Sequence, residues 1–210
     1  MKDPAVIRIL IADDHLVVRE GLSALLNRQV DMKVVAEAGD GAAAVNLFFQ
    51  HNPDVALIDL RMPKMSGVQA IQAIRQRAPD ARLVVLTTFD ADEDIYRALR
   101  AGAKGYLLKD VFPAEMMECI RAVHRGESYL PPKVAAKLAG RMGSADLSRR
   151  EMEVLRLVVD GKSNKEIGDI LSITEGTVKV HVNHILDKLG VSGRTAASVA
   201  AVERGIIRTS

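Results

Sequence analysis

The feature of this sequence that most limits its fold is a regular alternation, over the first 125 residues, between short apolar runs and longer amphipathic stretches. Four of the five runs are almost continuously apolar and rich in Val, Ile and Leu, as strands covered on both faces of a sheet must be. The runs are Val6–Ala12, Lys33–Glu37, Val55–Ile58, Arg82–Thr87 and Gly105–Leu108. Five strand–helix repeats predict a doubly wound parallel α/β sheet.

The pattern changes after residue 126, where two adjacent prolines and two glycines surround a short helical stretch. From residue 146 onward the periodicity is helical only. We therefore expect a first domain over 1–125, a linker over 126–145 and an all-α domain of four helices over 146–210. Two capping-box patterns and a threonine N-cap predict where three of these helices start: Ser148 with Glu151, Ser163 with Glu166, and Thr174.

Charged and hydroxyl side chains stand at the ends of four of the predicted strands. They are Asp13 and Asp14, Asp59, Thr87 and Thr88, and Lys109. Parallel α/β sheets bind ligands beyond the carboxyl ends of their strands, so these side chains are expected at one edge of the sheet. Three close carboxylates repel one another unless a cation joins them, and Mg²⁺ prefers such oxygen ligands. The sequence therefore predicts a divalent metal site at this edge.

In the second domain, the helices that begin at Ser163 and Thr174 have the spacing of a helix-turn-helix unit. The first is predicted to bury one face made of Ile167, Ile170 and Leu171. The second carries an apolar stripe between Val178 and Leu189, which we assign to the core. Its opposite face carries three residue types that can read base edges in a major groove: Lys179, Val180 and Asn183.

The charge distribution indicates which part of the chain meets a polyanion. Residues 1–130 carry 16 Lys and Arg against 18 Asp and Glu, whereas residues 131–210 carry 13 against 9. All seven aromatic residues lie in the first part, so the basic part has no rings for stacking unpaired bases, and double-stranded DNA is its expected partner. Candidate contacts to DNA phosphates are Lys162, Lys165, Lys188 and Arg194.

The residues at the strand ends form a recognisable set. Asp13–Asp14, Asp59, Thr87 and Lys109, with Tyr106 three positions before the lysine, resemble the receiver domain of two-component response regulators. The resemblance covers about residues 5–125. It implies a flavodoxin-like sheet with strand order 2-1-3-4-5.

The same resemblance implies a role for each of these residues. Asp59 would be the phosphoacceptor, and a sensor histidine kinase would be the partner that phosphorylates it. The Mg²⁺ ligands would be Asp13, Asp14, Asp59 and the backbone carbonyl of Arg61. The phosphoryl-contact and switch residues would be Thr87, Thr88, Tyr106 and Lys109. Tyr106 would alternate between buried and exposed positions.

Three segments of the second domain are similar to the LuxR-type helix-turn-helix domain over roughly residues 146–208. They are Leu147–Leu155, Gly161–Ile167 and Thr177–His181. The two halves together resemble the NarL/FixJ family of transcriptional regulators. This resemblance implies a phosphorylation-regulated DNA-binding protein rather than an enzyme, with the face around Lys179 directed at the DNA.

Two other functions fit part of the pattern. An aspartyl-phosphate phosphohydrolase could use Asp59 as its nucleophile. Such enzymes need a substrate pocket and commonly have a second acid two residues later, where this chain has Arg61. A stand-alone phosphorelay module is the other alternative, and the helical domain speaks against it.

The two domains differ in charge and share a linker of about 20 residues, which keeps each at a high effective concentration near the other. We expect the unphosphorylated first domain to restrain the second, and phosphorylation to release it. The released domains are expected to pair as a homodimer on half-sites related by a two-fold axis. Candidate interface residues in the last helix are Ala197, Val199, Ala200 and Val202.

The composition excludes several classes of protein. The single cysteine, Cys119, excludes an internal disulfide framework and a cysteine-rich zinc module. The apolar run near the N-terminus is too short for a secretory signal, and no stretch approaches the roughly 18 apolar residues of a membrane span. The sequence therefore predicts a soluble, cytoplasmic protein with no membrane partner.

Overall fold

The computed structural model describes residues 6–88, 91–142 and 146–207. The chain folds into two compact units, and the main division falls between Ala136 and Lys137. Both chain ends and residues 143–145 of the expected linker lie outside the described residues.

The first unit is a five-stranded parallel sheet in the order β2-β1-β3-β4-β5. Its strands are β1 (Ile7–Ala12), β2 (Met32–Ala38), β3 (Val55–Ile58), β4 (Leu83–Thr87) and β5 (Gly105–Leu108). The helices that follow them are α1 (Leu16–Asn27), α2 (Gly41–His51), α3 (Gly67–Arg77), α4 (Asp92–Arg100) and α5 (Pro113–His124). The predicted doubly wound sheet and its strand order are therefore confirmed.

The sheet is covered on both faces, which explains why its strands are apolar runs without alternation. On one face, Ile9, Ile11 and Leu57 of the strands pack in one cluster with Leu26 of α1 and Ile120 of α5. Leu10 and Ala56 point the other way because side chains alternate along a strand, and they are also buried. Helix α2 packs against β1, β2 and α3.

Helix α6 (Pro132–Met142) occupies most of the described part of the expected linker. The second unit then contains α7 (Arg149–Val159), α8 (Asn164–Leu171), α9 (Glu175–Leu189) and α10 (Arg194–Glu203). Both predicted capping boxes are formed, and the Thr174 side chain accepts a hydrogen bond from Thr177 N at 3.1 Å. The polar residues that start these helices thus satisfy backbone amides that the helices themselves leave unpaired.

The core of the second unit confirms most of the predicted apolar stripe. Val178, Ile185 and Leu189 of α9 are buried together with Ile167 of α8. The prediction for Ile170 is wrong, because its side chain is 54% exposed. Helix α8 spans only eight residues, and the positions that turn toward the core are those four apart, residues 167 and 171.

The longest helix in the described ranges is α9, with 15 residues. A helix needs about 20 apolar residues to cross a bilayer. None of the described helices meets that requirement of length and apolar character.

Candidate functional site

The carboxyl ends of β1 and β3 create a cluster that we name the acidic pocket, made of Asp13, Asp14, His15 and Asp59. One ligand atom from each residue lies within 4.8 Å of the others. Asp13 and Asp59 are buried, with exposures of 2% and 4%, whereas Asp14 and His15 are exposed. Because β1 pairs with β2 on one side and β3 on the other, the pocket lies where the strand order reverses. This is the position at which doubly wound sheets bind ligands.

Lys109, from the end of β5, supplies the cation of this pocket. Its Nζ lies 2.6 Å from Asp13 Oδ2 and 3.1 Å from Asp59 Oδ2. Burial lowers the pKa of Lys109, but the hydrogen bonds and charges of the two carboxylates outweigh burial and raise the pKa above its ordinary value. The Lys109 amide also donates to Thr87 O at 2.8 Å, which fixes the lysine beside β4. A charged ammonium therefore stands between two buried carboxylates.

Asp59 is held by the loop that follows it. Its Oδ1 accepts a hydrogen bond from Leu60 N at 2.8 Å, and Gly67 N donates to Leu60 O at 3.0 Å. A Cβ atom at position 67 would lie 2.0 Å from Asp59 O, so the start of α3 approaches Asp59 as closely as only glycine allows. One carboxylate oxygen of Asp59 is thus bound to backbone, and the other faces Lys109.

His15 belongs to the acidic pocket but was not among the predicted site residues. Its Nδ1 lies 2.8 Å from Asp14 Oδ1, and its backbone amide donates to Asp13 Oδ1 at 3.0 Å. The sequence signal for His15 was its position directly after two aspartates. No spacing rule for metal ligands covers that position, so it did not predict a site residue.

The threonines and the tyrosine predicted to respond to a phosphoryl group differ in exposure. Thr87 and Tyr106 are fully buried, whereas Thr88 is exposed. Thr88 and Lys109 line a cavity of about 300 Å³ at this edge of the sheet. The other residues that line it are Leu108, Asp110 and Lys133. The cavity leaves room for a small anion next to the Lys109 side of the pocket.

Tyr129 is a second residue that sequence reasoning did not single out. Its carbonyl accepts a hydrogen bond from Tyr106 N at 3.2 Å, and its amide donates to Lys104 O at 2.9 Å. These bonds form a short parallel bridge between residue 129 and β5. The segment after α5 is therefore attached to the strand that carries Tyr106. A single bridge has no periodicity, so the sequence contains no signal for it.

The acidic pocket fits a hard divalent cation. Carboxylate oxygens from Asp13, Asp14 and Asp59 are the ligand type that such cations prefer, and their close spacing favours a positive ion among them. Arg61 follows Asp59 by two residues in the same loop, so its backbone carbonyl belongs to the same edge of the sheet.

Helix α9 in the second unit presents a polar face opposite its buried stripe. Lys179, Val180 and Asn183 are all exposed, as a surface that reads DNA requires. Lys179 Nζ lies 3.4 Å from Glu175 Oε1 on the same face of the helix. All three predicted base-reading residues thus share one accessible surface, which we name the recognition face.

Helix α9 is joined to α7 by an ion pair whose carboxylate is buried. Glu151 of α7 accepts hydrogen bonds from Ser148 N at 2.6 Å and from Lys188 Nζ at 2.7 Å. Burial raises the pKa of Glu151, but these hydrogen bonds and the Lys188 charge outweigh burial and lower it. Arg150 also donates to Leu171 O at 2.7 Å, so α7 is tied to α8 as well.

Two predicted phosphate contacts have other partners in the structure. Lys188 Nζ is bound to Glu151 and lies 3.1 Å from Asp146 O. The Arg194 guanidinium donates to Asn164 Oδ1 at 3.1 Å and to the carbonyl of Lys162. Both side chains join elements within the unit, and their predicted phosphate contacts stay predictions. Lys165 is exposed and keeps this predicted role.

The predicted interface on α10 is corrected in part. Ala197 and Ala200 are buried, with 2% and 7% exposure, and Ala197 packs in the core of the second unit. They are therefore not interface residues. Val199 and Val202 on the same helix are exposed.

Comparison with known proteins identifies both units. Residues 9–121 match the response regulator receiver domain, and residues 145–201 match the bacterial regulatory proteins of the luxR family. The chain belongs to the two-component response regulators. It is a phosphorylation-regulated, DNA-binding transcription regulator with a LuxR-type helix-turn-helix domain.

Full-length relatives support this assignment. The chain is 44% identical over 203 residues to the transcriptional regulatory protein LiaR of Bacillus subtilis, covering 93% of this chain and 96% of LiaR. It is 39% identical over 207 residues to the response regulator protein VraR of Staphylococcus aureus, covering 96% and 99%. Among solved structures, RcsB of Salmonella enterica serovar Typhimurium, bound to a promoter with phosphomimetic BeF₃⁻, matches with a TM-score of 0.73 and 28% identity. That match covers 94% of this chain and 98% of RcsB.

Proposed function

We propose that Asp59 accepts a phosphoryl group from a sensor histidine kinase, in a Mg²⁺-dependent reaction, and that phosphorylation controls binding of double-stranded DNA by the recognition face. The observation that carries the proposal is the acidic pocket, in which Asp59 lies beside Asp13 and Lys109 at the switch point of the sheet. We also propose domain limits of 1–125 and 146–210, and action in the cytoplasm, where bacterial DNA lies.

The pocket supports the chemistry of transfer to Asp59. A carboxylate oxygen of Asp59 attacks the phosphorus atom, and the bond from phosphorus to the donor's histidine nitrogen breaks with its electron pair leaving on that nitrogen. The Oδ2 atom, which faces Lys109, is the attacking oxygen in this proposal, because Oδ1 is occupied by Leu60 N. Mg²⁺, held by Asp13, Asp14, Asp59 and the Arg61 carbonyl, would offset the phosphoryl charge.

Lys109 and the two threonines would then bind the phosphoryl group on Asp59. The Lys109 ammonium lies 3.1 Å from Asp59 Oδ2, so a phosphoryl group on that oxygen would offer it additional anionic oxygens. Thr87 and Thr88 stand at the end of β4, on the same edge. Tyr106 is buried in β5 next to β4, so movement of Thr87 can be followed by repacking of this ring.

For the second unit, we propose that Lys179, Val180 and Asn183 contact bases and that Lys165 contacts a phosphate. Exposure of all four side chains supports this assignment. Lys179 would exchange its contact with Glu175 for the edge of a guanine. Dimers on two half-sites are proposed for the phosphorylated protein, with Val199 and Val202 as exposed apolar candidates for the interface.

The phosphoacceptor is tested by labelling the full chain with a small radioactive phosphodonor and Mg²⁺. We expect acid-labile label on the parent chain and none on Asp59→Asn, which keeps the shape of the side chain but not its nucleophilic carboxylate. Asp80→Asn is the matched control, because Asp80 is exposed and remote from the pocket in sequence. Full labelling of Asp59→Asn would refute the assignment, as would loss of label in Asp80→Asn alone.

The same preparation distinguishes a phosphohydrolase. A regulator keeps the label until its aspartyl phosphate hydrolyses, and it does not turn over phosphate monoesters. Multiple turnovers of a monoester that depend on Asp59 would favour the enzyme instead.

Control of DNA binding by the first domain is tested with residues 146–210 alone. These residues contain the buried core of α7 to α10. If the unphosphorylated first domain restrains the second, the fragment binds a selected duplex more tightly than the unphosphorylated full chain. Equal affinities for the two proteins would contradict the restraint.

A further inference from the structure

The loop between β3 and α3 contains a lysine in an unusual backbone conformation. Lys64 has φ of +62°, the left-handed region that residues with a side chain seldom adopt. Its Nζ lies 2.6 Å from Asp40 Oδ2, across 24 residues of sequence. The side chain is otherwise exposed, so this contact is what ties it to the fold.

Asp40 has two functions at the start of α2. Its Oδ1 accepts a hydrogen bond from Ala43 N at 2.8 Å and caps the helix, while Oδ2 binds Lys64. The hydrogen bond from Lys64 is the main cause that lowers the pKa of Asp40, followed by the bond from the Ala43 amide. A carboxylate that is already fixed as a cap is a rigid anchor for a mobile lysine side chain.

The backbones of the two elements also touch. A Cβ atom at position 41 would lie 2.2 Å from Met65 O, so the first turn of α2 lies directly against the loop. At its other side the loop is closed by Gly67 N, which donates to Leu60 O. The loop from residue 60 to 67 is therefore held by two backbone contacts, one to α2 and one between its own ends. Lys64 lies within this loop.

We propose that the Asp40–Lys64 ion pair is a latch that positions the loop Leu60–Gly67 for phosphoryl transfer to Asp59. The loop supplies Leu60 N, which orients the Asp59 carboxylate, and the Arg61 carbonyl, which is a proposed metal ligand. Asp40 and Lys64 are positioning residues, since neither belongs to the acidic pocket. The inference rests on the proposed role of Asp59.

The chain offers variants that separate the latch from the helix cap. Asp40→Asn keeps an oxygen for the Ala43 amide, but its NH₂ group replaces the oxygen that binds Lys64. Asn caps a helix as well as Asp does, so the helix start is retained. Lys64→Gln removes the charge, whereas Lys64→Arg keeps it. Glu127→Gln is the matched control, because it breaks the exposed ion pair with Arg125 after α5.

The first readout is amide hydrogen exchange of Met62, Lys64, Met65 and Ser66 in the full chain without phosphodonor or Mg²⁺. Exposed ion pairs contribute little to stability, so we expect amide exchange to be only about threefold faster in Asp40→Asn and Lys64→Gln than in the parent. The double variant should be no faster than either single one, and Lys64→Arg and Glu127→Gln should match the parent. High salt should reduce the difference. Equal exchange in all variants would overturn the latch.

The second readout is the rate of Asp59 phosphorylation as a function of Mg²⁺ concentration. A loosened loop should raise the Mg²⁺ concentration for half-maximal rate by about threefold, because the Arg61 carbonyl must be ordered on binding. The maximal rate at saturating Mg²⁺ should change less. Suppose instead that only the maximal rate falls, and that it falls in step with the thermal unfolding temperature of each variant. The ion pair would then only stabilise the fold, and the positioning role would be overturned.

The two readouts separate this inference from the function on which it rests. No label on the parent chain would refute Asp59 as phosphoacceptor, and exchange would still report whether the ion pair orders the loop. Normal labelling of the parent with identical Mg²⁺ dependence in every variant refutes the latch alone.

Discussion

The two candidate sites of this protein are built in opposite ways. The acidic pocket, together with Lys109, joins residues that lie up to 96 positions apart, and Asp13 and Asp59 at its centre are buried. The recognition face is one exposed surface of one helix, and its three residues lie within five positions, from Lys179 to Asn183. The first site depends on the sheet, and the second depends on helical periodicity.

This difference predicts how each site responds to change. In the pocket, removal of the Lys109 charge leaves two buried carboxylates without compensation, so stability and function change together. On the recognition face, the side chains are solvated in the free protein, so substitutions should alter DNA binding and leave the fold unchanged. The following predictions test that contrast, from the largest expected effect to the smallest.

The pocket should lose stability when its cation is removed. Lys109→Met leaves the buried carboxylates of Asp13 and Asp59 without their ammonium, and we expect the free energy of unfolding of the first unit to fall by about 3 kcal/mol. All three tyrosines lie in residues 1–130 and the chain has no tryptophan, so tyrosine fluorescence during urea unfolding reports on this unit. Lys33→Met, on an exposed position of β2, is the control and should change little.

The same pair has a defined pH dependence. The folded pKa of Lys109 is raised, so its stabilising contribution is complete below the ordinary lysine pKa and is lost as the pH rises through the folded value. The difference between parent and Lys109→Met should therefore be constant at neutral pH and shrink only in strongly alkaline solution. A difference that already disappears near pH 7 would contradict a charged Lys109.

The recognition face should lose sequence preference without loss of stability. Lys179→Ala and Asn183→Ala should each reduce discrimination between a selected duplex and its single-base variants by about 1–3 kcal/mol. Lys165→Ala should instead weaken binding to all duplexes alike and reduce the salt dependence of the affinity. Unchanged preference after substitution of both Lys179 and Asn183 would rule out this face as the base reader.

The smallest expected effect sharpens the contrast, because the second unit also contains a buried charge. Glu151→Gln keeps a capping side chain but loses the ion pair with Lys188, and we expect a loss of about 1.5 kcal/mol in unfolding free energy. Glu166→Gln changes the equivalent position of the exposed capping box of α8 and is the matched control. Amide exchange in α7 and α9 measures the loss of stability in both variants.

The sign of the pH dependence follows from the lowered pKa of Glu151. The contribution of this carboxylate is present above the ordinary glutamate pKa and is lost as the pH falls through the lower folded value. The parent should therefore approach the stability of Glu151→Gln only in acid. Equal stability of the two proteins at neutral pH would show that the ion pair with Lys188 contributes nothing.

The sequence predicted the strands and the starts of three helices in the second unit because their signals are local. Apolar runs mark the covered strands, and Ser148 and Ser163 each have their glutamate three positions later. It also placed Asp59 and Lys109 at one edge, because every parallel strand ends on the same side of its sheet. These residues stand at strand ends, which apolar patterning locates well.

Contacts between distant side chains were not predictable in this way. The partner of Lys188 is Glu151, 37 positions away, and that of Lys64 is Asp40, 24 positions away at the start of α2. Likewise Ala197 is buried although α10 has small apolar residues on more than one face, so composition could not separate core from surface. Such pairs depend on how the elements pack, and the residue pattern of a single sequence does not reveal that packing.

The central claim is that phosphorylation at Asp59 in the first unit controls DNA binding by the recognition face in the second. The most direct measurement is the affinity of the full chain for a duplex selected from genomic fragments, with and without a phosphodonor and Mg²⁺. Allosteric coupling of ordinary size predicts a gain of about 5- to 150-fold for the parent chain and none for Asp59→Asn. Identical affinity of the parent before and after stoichiometric labelling of Asp59 would contradict the account.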